Sequence, residues 1–334
     1  MSFSLEVDTE KFNELVIDAT NKTVNARTGE TREQIHEISL SIGKVSLHEG
    51  YFGESIYRYG EMIFNRDLSL VGATSHPNVE IYFSLEGLYQ SQVHEHTSSF
   101  SLHAHRFSIS YSPNPGGKCM MLENMKNGFF ELNLSKEDIM KLNLTSSRTY
   151  DRLVAALMDE KPFAVSYKGI PLEWSMVKIL SQIKDPLVND SFRPYYRSIK
   201  VQELMILLLQ QCDAYNPGAT KKLTMIDHQR LTAVVDYLRS NYNAFPTLEE
   251  VAKVSGCCTS KLTVDFKKVY NCSVFQYCQM LRMDEAARHL KQGELPISSV
   301  AYMAGYQNPQ HFTAAFKRHF GVLPKYFRKG GTSW

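Results

Sequence analysis

The segment Thr247-Leu-Glu-Glu-Val-Ala-Lys-Val-Ser-Gly256 leads to Phe266-Lys-Lys268. A second segment, Ile297-Ser-Ser-Val-Ala-Tyr-Met-Ala-Gly305, leads to Phe316-Lys-Arg318. In each copy an Ala stands four residues before the Gly. A small Ala lets two helices approach closely, and a Gly tolerates the backbone angles of a tight turn. The repeat therefore predicts two helix-turn-helix units.

Local signals place the helix starts in both copies. Thr247 and Glu250 have the spacing of a capping box, which satisfies backbone N–H groups at a helix start. Pro296 marks the start of the second copy, because Pro is tolerated in the first helical turn. Asn308 followed by Pro309 marks another start, with Asn as the cap and Pro at the first helical position.

Between the copies, residues 275–291 are predicted to form one amphipathic helix that ends at Gly293. Its apolar residues available for burial are Phe275, Tyr277, Cys278, Leu281, Ala286 and Leu290. A long helix would fix the spacing of the two units. Two reading helices about 34 Å apart could enter successive major grooves of DNA from one side.

The segment resembles the DNA-binding domain of AraC-type (AraC/XylS) transcriptional regulators. The matching positions are Ala252, Gly256, Leu262, Phe266, Tyr277, Leu281, Arg282, Ala286, Ile297, Val300, Ala301, Gly305, Tyr306, Phe312, Phe316, Lys317, Phe320, Gly321, Pro324, Tyr326, Phe327 and Arg328. Residues 260–270 resemble the pyochelin-regulator branch of this family. The resemblance implies a cytoplasmic, dimeric, effector-responsive activator that binds promoter DNA and recruits RNA polymerase.

The exposed residues of the two second helices are the predicted DNA contacts. The predicted base contacts are Thr259, Ser260, Lys261, Thr263, Val264, Asn308, Gln310, His311, Thr313 and Ala314. The predicted phosphate contacts are Lys267, Lys268, Lys317, Arg318, Lys325, Arg328 and Lys329. Many family members have Arg where this chain has Val264 and Ala314, which moves base reading toward Lys261 and Gln310. Arg282 is expected to tie the linking helix to its neighbours.

The charge of the chain is divided unevenly along its 334 residues. From Lys221 onward there are 16 Lys or Arg and 8 Asp or Glu, a net charge of +8. The remaining 21 Lys or Arg and 27 Asp or Glu give −6. A basic end beside an acidic body suggests that one part of the chain meets a polyanion. The length is sufficient for two domains.

Residues 35–134 alternate apolar and polar side chains between turn signals. Strands are expected at 38–42, 79–83, 107–111 and 129–134, with turns at 86–87, 112–117 and 127–128. Many short strands with regular turns predict a barrel or a sandwich. The family resemblance implies a cupin-like β-barrel. The fold class is therefore α+β, with this barrel and trailing helices before an all-α domain of two helix-turn-helix units joined by a long helix.

Helical periodicity begins at Ser135, with further helices expected at 150–158, 172–183 and 194–212. The predicted domains are 1–213 for sensing and dimerisation, with the barrel at about 35–134 and helices at about 135–213. Residues 214–224 form a linker and 225–334 bind DNA. The 194–212 helix is apolar around much of its surface. It could pack on the barrel and on a second subunit, or be buried within its own domain.

Four histidines form the sharpest chemical pattern of the first domain: His94, His96, His103 and His105. If each pair lies on one strand face, imidazoles from the two strands could face each other and hold a metal. Glu95 would then point to the opposite face, so the Glu that a cupin metal site needs is missing. The alternatives are effector contact, pH sensing, or an exposed polar hairpin.

The sequence leaves three alternatives to an effector-responsive regulator: a metal-binding cupin-type enzyme fused to a DNA-targeting domain, a DNA-repair methyltransferase, and an architectural DNA binder. The methyltransferase would need an activated nucleophile, and Cys119 has no activating neighbours in the sequence. No phosphate-binding loop, hydrolase elbow or zinc-protease motif is present. We expect no enzymatic activity, no cofactor and no membrane association. The effector is open, and a siderophore is among the candidates.

Overall fold

The computed structural model describes residues 3–7, 17–18, 33–52, 55–74, 77–186, 188–216, 225–244, 246–270 and 272–328. These residues divide into two compact units. The first lies within Met1–Ile183 and Pro194–Asn216, and the second within Lys184–Arg193 and Pro217–Trp334. The predicted linker falls almost wholly at 217–224, outside the described residues.

The first unit is rich in antiparallel strands. They are β1 (Phe3–Val7), β2 (Ile17–Asp18), β3 (Glu33–Leu40), β4 (Gly43–Phe52), β5 (Ser55–Phe64), β6 (Leu68–Thr74), β7 (Val79–Glu86), β8 (Leu88–Val93), β9 (Phe100–His103), β10 (Arg106–Tyr111), β11 (Gly116–Met121), β12 (Asn127–Leu134), β13 (Phe163–Ala164) and β14 (Ile170–Pro171). The small sheet has the order β2-β1-β6-β11-β8-β9. The large sheet has the order β13-β10-β7-β12-β5-β4-β3, with β14 also paired to β10.

The large sheet carries different chemistry on its two faces, because side chains alternate along each strand. On β7, Val79, Ile81 and Phe83 are fully buried in the main apolar core, whereas Glu80 and Tyr82 point to the opposite face. The apolar face packs against helices. The other face packs against the small sheet through a second apolar cluster that includes Leu47 of β4 and Leu70 of β6.

In the described residues, four α-helices follow β12, with β13 and β14 between the second and the third, and they begin close to where sequence signals place them. They are α1 (Lys136–Lys141), α2 (Arg148–Met158), α3 (Trp174–Lys184) and α4 (Arg193–Ala214). Ser135 caps α1 through its side chain, as predicted. On α4, buried Arg197 donates from Nε to the Ile183 carbonyl oxygen at 3.0 Å and covers the Tyr57 ring at 4.8 Å. This arginine fixes α4 against α3 and the large sheet.

The second unit is helical in its described residues. Its helices are α5 (Met225–Ser240), α6 (Leu248–Ser255), α7 (Thr259–Tyr270), α8 (Val274–Gln292), α9 (Ile297–Met303), α10 (Pro309–Phe320) and α11 (Pro324–Arg328). Helix α8 confirms the predicted linking helix, with Gly293 as its left-handed cap at φ 75°. Leu262, Phe266, Phe312 and Phe316 are buried, and Phe320 is half-buried.

The structure corrects several local predictions. Strand β3 ends at Leu40 and a turn follows, so residues 38–42 are not one strand. Residues 127–128 lie inside β12 instead of forming a turn. Phe275 is 68% exposed, because it lies on the solvent face in the first turn of α8. Most of residues 1–34 lie outside the described ranges.

The coarser fold prediction is confirmed: a sheet-rich first half and a helical second half. Hydrogen bonding within the described strands produces two separate sheets and does not close them into one ring. The cupin-like barrel therefore stays a prediction, and the observed arrangement is closer to the sandwich alternative. The two sheets together supply the surface on which a ligand site is built.

Candidate functional site

Both turns of the helix-turn-helix units have the backbone geometry that their glycines predict. Gly256 caps α6 at φ 62°, and Gly305 follows α9 at φ 80°. Both values lie in the left-handed region, which residues other than Gly disfavour because of their Cβ atom. The capping box of Thr247 and Glu250 is complete, with hydrogen bonds of 2.8 and 3.2 Å. These constraints present α7 and α10 as the second helices of the two units.

The structure places the predicted base contacts along the N-terminal halves of α7 and α10. On α7, Ser260, Thr263 and Val264 are exposed, and Thr259 is half-buried. The corresponding side chains on α10 are exposed at Asn308, Gln310, His311 and Ala314 and half-buried at Thr313. Each set is interrupted by the buried apolar residue that anchors its helix. Whether these side chains meet bases stays a prediction.

Lys261 is the predicted base contact whose surroundings differ most from expectation. Its Nζ lies 2.8 Å from Asp227 Oδ1 on α5 and 2.5 Å from Asp265 Oδ2 on α7. These two carboxylates raise the pKa of Lys261 above its ordinary value. A lysine held between two acids must give up at least one of them before it can meet DNA. The first helix-turn-helix unit therefore offers less positive charge to a base edge than its sequence indicates.

In the second helix-turn-helix unit, two of the predicted polar contacts are engaged within α10 and Gln310 stays available. Asn308 accepts from the Gln310 backbone N–H at 2.8 Å and caps α10, which leaves the Gln310 amide exposed. The Thr313 hydroxyl is turned inward, since it donates to the Pro309 carbonyl oxygen at 2.8 Å. Among these side chains, Gln310 has the group best suited to a bidentate contact with a base.

The predicted phosphate contacts fall into two groups. Lys267, Lys317, Arg318 and Lys325 are exposed on the surfaces of α7, α10 and α11. The others are half-buried and engaged: Lys268 Nζ lies 3.8 Å from Asp265 Oδ1, and Arg328 donates to the Leu295 carbonyl oxygen. Lys329 lies outside the described residues. The exposed group provides the cations that could follow a DNA backbone.

Arg282 has the structural role that the sequence suggests. It is buried on α8, and its Nε donates to the Tyr242 carbonyl oxygen at 2.6 Å. Burial lowers the pKa of its guanidinium, against the attraction of Cys278 and Tyr306. The side chain therefore ties α8 to the turn after α5.

The second candidate site is a cavity of about 160 Å³ between the two sheets of the first unit. Its apolar end is formed by residues of the inter-sheet cluster, including Leu47, Leu70 and Phe129. Tyr82 and Tyr89 stack with their ring centroids 3.8 Å apart and form part of its wall. A recessed space with an apolar end and a few polar groups has the character of a small-molecule site.

A row of charged side chains crosses the cavity face of the large sheet. Arg58 on β5 is paired in register with Glu49 on β4 and with Glu131 on β12. Its Nε lies 2.5 Å from Glu49 Oε2, and its Nη1 lies 3.3 Å from Glu131 Oε1. Burial alone would lower the pKa of Arg58, but the two carboxylates outweigh burial and raise it. The guanidinium therefore stays charged and is already engaged.

Glu80 is an acid of the cavity wall that is not part of the ion pairs of Arg58. It points into the cavity from β7, next to Ser110 of β10 in the strand register. Burial and, to a lesser extent, repulsion from Glu131 raise its pKa to about 8, although the attraction of Arg58 opposes them. Near neutral pH this carboxyl is mostly protonated. One buried arginine, Arg58, is thus available to balance the charge of three acids in the cavity wall or next to it: Glu49, Glu80 and Glu131.

The four histidines do not meet, and the prediction that they face each other in pairs is wrong. Strand β8 ends at Val93, so His94 and His96 lie in the following loop, where Glu95 turns the chain at φ 66°. His103 pairs with Leu88, which is about 17 Å along the hairpin from Val93 at the usual rise per residue. His105 follows in the next turn at φ 57°.

Metal chemistry and thiol chemistry have little support in the residues present. Among the described residues, no group of three or more His, Cys, Asp or Glu is placed to hold a metal ion. Burial and Glu80 together raise the pKa of the Cys119 thiol to about 12, the reverse of what an activated nucleophile needs. Within the described ranges, no helix has both the length and the apolar character needed to cross a bilayer.

Some functional features were missed by sequence reasoning. Helix α5 was not predicted, although Leu231, Val234, Val235 and Leu238 have helical spacing and are buried. The row through Arg58 could not be recognised as a whole, because Glu131 on β12 lies 73 residues from Arg58 in the sequence. Glu80 does carry a signal, since a charged residue alternates there with Val79, Ile81 and Phe83 in an otherwise apolar strand.

Comparison with known proteins matches residues 251–330 to a helix-turn-helix domain family. The antibiotic resistance protein MarA of Salmonella typhimurium is 32% identical over 96 residues, which cover 29% of this chain and 76% of MarA. The Msm operon regulatory protein of Streptococcus mutans is 22% identical over 279 residues, 83% of this chain and 93% of that protein.

Other likenesses are narrower or weaker. In two further curated regulators, the match spans only 32% and 52% of their length. The solved structure of ToxT from Vibrio cholerae with a bound unsaturated fatty acid covers 83% of this chain at 12% identity. Its TM-score of 0.32 is too low to equate the two structures. The family match at residues 251–330 lies within the second compact unit.

Glu80 is predicted to make the stability of the chain depend on pH. A carboxyl whose pKa is 4.5 when unfolded and about 8 when folded binds more protons in the folded state between those values. The free energy of unfolding should then fall as pH rises from 5 to 8, by at most ~1.4 kcal/mol per pH unit. Urea unfolding of Glu80→Gln should show a flatter dependence. Equal slopes for both proteins would contradict the assignment. Glu61→Gln, exposed on the outer face, is the control.

Proposed function

The chain belongs to the AraC-type family of helix-turn-helix proteins, and from that membership we propose that it is a sequence-specific DNA-binding transcriptional regulator. The observation that carries the proposal is the presentation of polar side chains on α7 and α10, the second helices of two successive units. Exposed cations at Lys267, Lys317 and Arg318 lie toward the C-terminal ends of the same helices. Base-reading groups flanked by phosphate-binding groups are what a groove-binding helix needs.

The two helix-turn-helix units are proposed to contribute differently to DNA recognition. In the first, Lys261 is neutralised by two aspartates, so Ser260, Thr263 and Val264 make mainly short polar and apolar contacts. In the second, the exposed amide of Gln310 reads a base directly. Sequence preference would then be stronger in the half-site bound by α10. This division refines the expectation that base reading moves toward both Lys261 and Gln310.

The first unit is proposed to be the sensory part, within residues 1–213, joined through 214–224 to a DNA-binding part at 225–334. The cavity between its sheets is the place for an effector. A volume of about 160 Å³ is close to that of a cavity that holds benzene. This size favours a compact effector over a ferric siderophore, which stays an alternative together with the pyochelin-regulator branch.

Helix α4 is proposed to form a dimer interface. It buries one face against its own unit, yet Tyr195, Ile199 and Ile206 are 50–71% exposed on it. Their spacing of four and seven residues puts them on one side of the helix. Two copies of this side could pack together and cover the exposed apolar surface. A dimer would place four helix-turn-helix units on one promoter. We propose that the protein acts in the cytoplasm and activates transcription there through contact with RNA polymerase.

Genomic footprinting of the tagged chain, with transcript analysis after its deletion, tests the regulator proposal. We expect discrete peaks upstream of a few operons whose transcripts fall when the gene is removed. The functions of those operons would also indicate the effector class. Uniform coverage of the genome, or the absence of promoter peaks, would contradict the proposal. The alternative of a metal-binding enzyme fused to a DNA-targeting domain would then be favoured.

Gln310→Ala and Lys317→Ala are predicted to affect DNA binding differently. Loss of a base contact should weaken binding to the chain's own operator by ~1–3 kcal/mol and relax preference at one base pair. Loss of a phosphate contact should weaken binding to operator and unrelated DNA alike and reduce the salt dependence by about one ion. Fluorescence anisotropy at several salt concentrations separates the two. Identical behaviour of both variants would contradict the assigned roles.

A further inference from the structure

The cavity between the sheets has an apolar end and a polar end. Along the cavity face of the large sheet, Leu47 and Phe129 lie at one end, and Asn78 and Glu80 lie at the other. Arg58 and Glu131 lie between them, in the strand register next to Tyr82. A ligand that fills this space needs an apolar body and a polar head, and the charges at the polar end decide which head it carries.

An anionic head is disfavoured by the groups already present. Arg58 is the buried cation of this wall, and it is paired with Glu49 and Glu131. A ligand carboxylate would have to displace one of them and leave a buried acid without its partner, which costs several kcal/mol. His96 cannot supply a second positive charge, because burial lowers its pKa. A protonated amine meets the opposite situation. Three acids, Glu49, Glu80 and Glu131, lie around one buried guanidinium, so an ammonium group can pair with Glu80 and hold its carboxyl in the ionised form. Lys118 also lines the cavity, but its side chain is exposed on β11.

Two buried polar atoms of the cavity lining independently indicate a missing hydrogen-bonding partner. Among the described residues, neither Asn78 Nδ2 nor His96 Nε2 has one, although both side chains are only 6% exposed. His96 is held in place by Tyr167, whose hydroxyl lies 3.2 Å from Nδ1. Unsatisfied buried polar atoms are costly, so a guest that completes their hydrogen bonds would stabilise the unit. An ammonium group only donates, so it can serve His96 Nε2 as an acceptor, whereas Asn78 Nδ2 is a donor and does not favour an amine over a neutral head.

We propose that the cavity binds a small protonated amine, with its ammonium group against Glu80 and Glu131 and its apolar body toward Leu47 and Phe129. The proposal rests on the proposed role of this unit as an effector-binding domain and names the chemical class of the effector. The stacked rings of Tyr82 and Tyr89 add aromatic surface on which a compact ring or short alkyl chain can pack. The volume limits the body to about the size of one six-membered ring.

Calorimetric titration of the full chain at pH 7 with three probes of equal ring size tests the charge preference. Benzylamine carries a cation, benzyl alcohol a neutral head and benzoate an anion. We expect benzylamine to bind about tenfold or more tightly than benzyl alcohol, with no binding of benzoate. Equal or tighter binding of the alcohol or the acid overturns the proposal. Failure of all three to bind at millimolar concentration overturns it as well.

Variants identify the groups responsible. Glu80→Gln and Glu131→Gln should each weaken benzylamine binding by about tenfold or more, because each removes a charge-assisted hydrogen bond. Glu61→Gln, on the outer face of β5, should leave binding unchanged. Unchanged affinity in both cavity variants overturns the site. The preference among probes in the unmodified chain requires no variant to fold.

Operator binding measured on the same preparations separates this proposal from the regulator proposal. If the chain binds its operator but does not prefer the amine, the ligand class is wrong and the regulator stands. If the amine binds but no sequence-specific DNA binding is found, the regulator proposal fails and the amine site stands. A third readout is the effect of benzylamine on operator affinity, which should change in the unmodified chain and not in Glu80→Gln.

Discussion

Helix α8 contributes buried residues to the cores of both helix-turn-helix units, and the arrangement of the second half of the chain depends on it. Tyr277 packs edge-on against Phe266 in the first core, at 5.6 Å between ring centroids. Met283 and Leu290 belong to the second core together with Phe316. A helix of 19 residues is about 28 Å long, which is comparable to one turn of DNA. Because both cores share this rigid element, the spacing of α7 and α10 is fixed by packing.

The large sheet has a corresponding role in the first half. Its outer face is apolar and holds the helices, while its inner face carries Arg58 between two acids. A buried arginine is stable only when it is paired, so Glu49 and Glu131 are needed wherever Arg58 is present. Glu80 then adds a charge that has no counterpart in this row. The cost of that charge is reduced when the carboxyl is protonated, or when a cation enters the cavity.

The parts predicted from sequence are those that depend on neighbours in the chain. The capping box at Thr247, the left-handed cap at Gly293 and the helical periodicity of α8 are local, and all are confirmed. Contacts between distant segments could not be predicted. The pairing of Lys261 with Asp227 depends on how α5 packs, and the cavity depends on strand order and register. The prediction that the histidine pairs face each other across a hairpin is wrong, because the turn begins at His94, earlier in the chain than the periodicity suggests.

The spacing of the two DNA segments contacted by α7 and α10 is the most direct test of the proposed DNA-binding mode. In a hydroxyl-radical footprint of the purified chain on one of its own promoters, each bound copy should protect two segments about ten base pairs apart on one face of the duplex. Inserting five base pairs between them should turn one segment to the opposite face and abolish tight binding. A single protected segment, or tight binding that survives the insertion, would contradict the shared-helix arrangement.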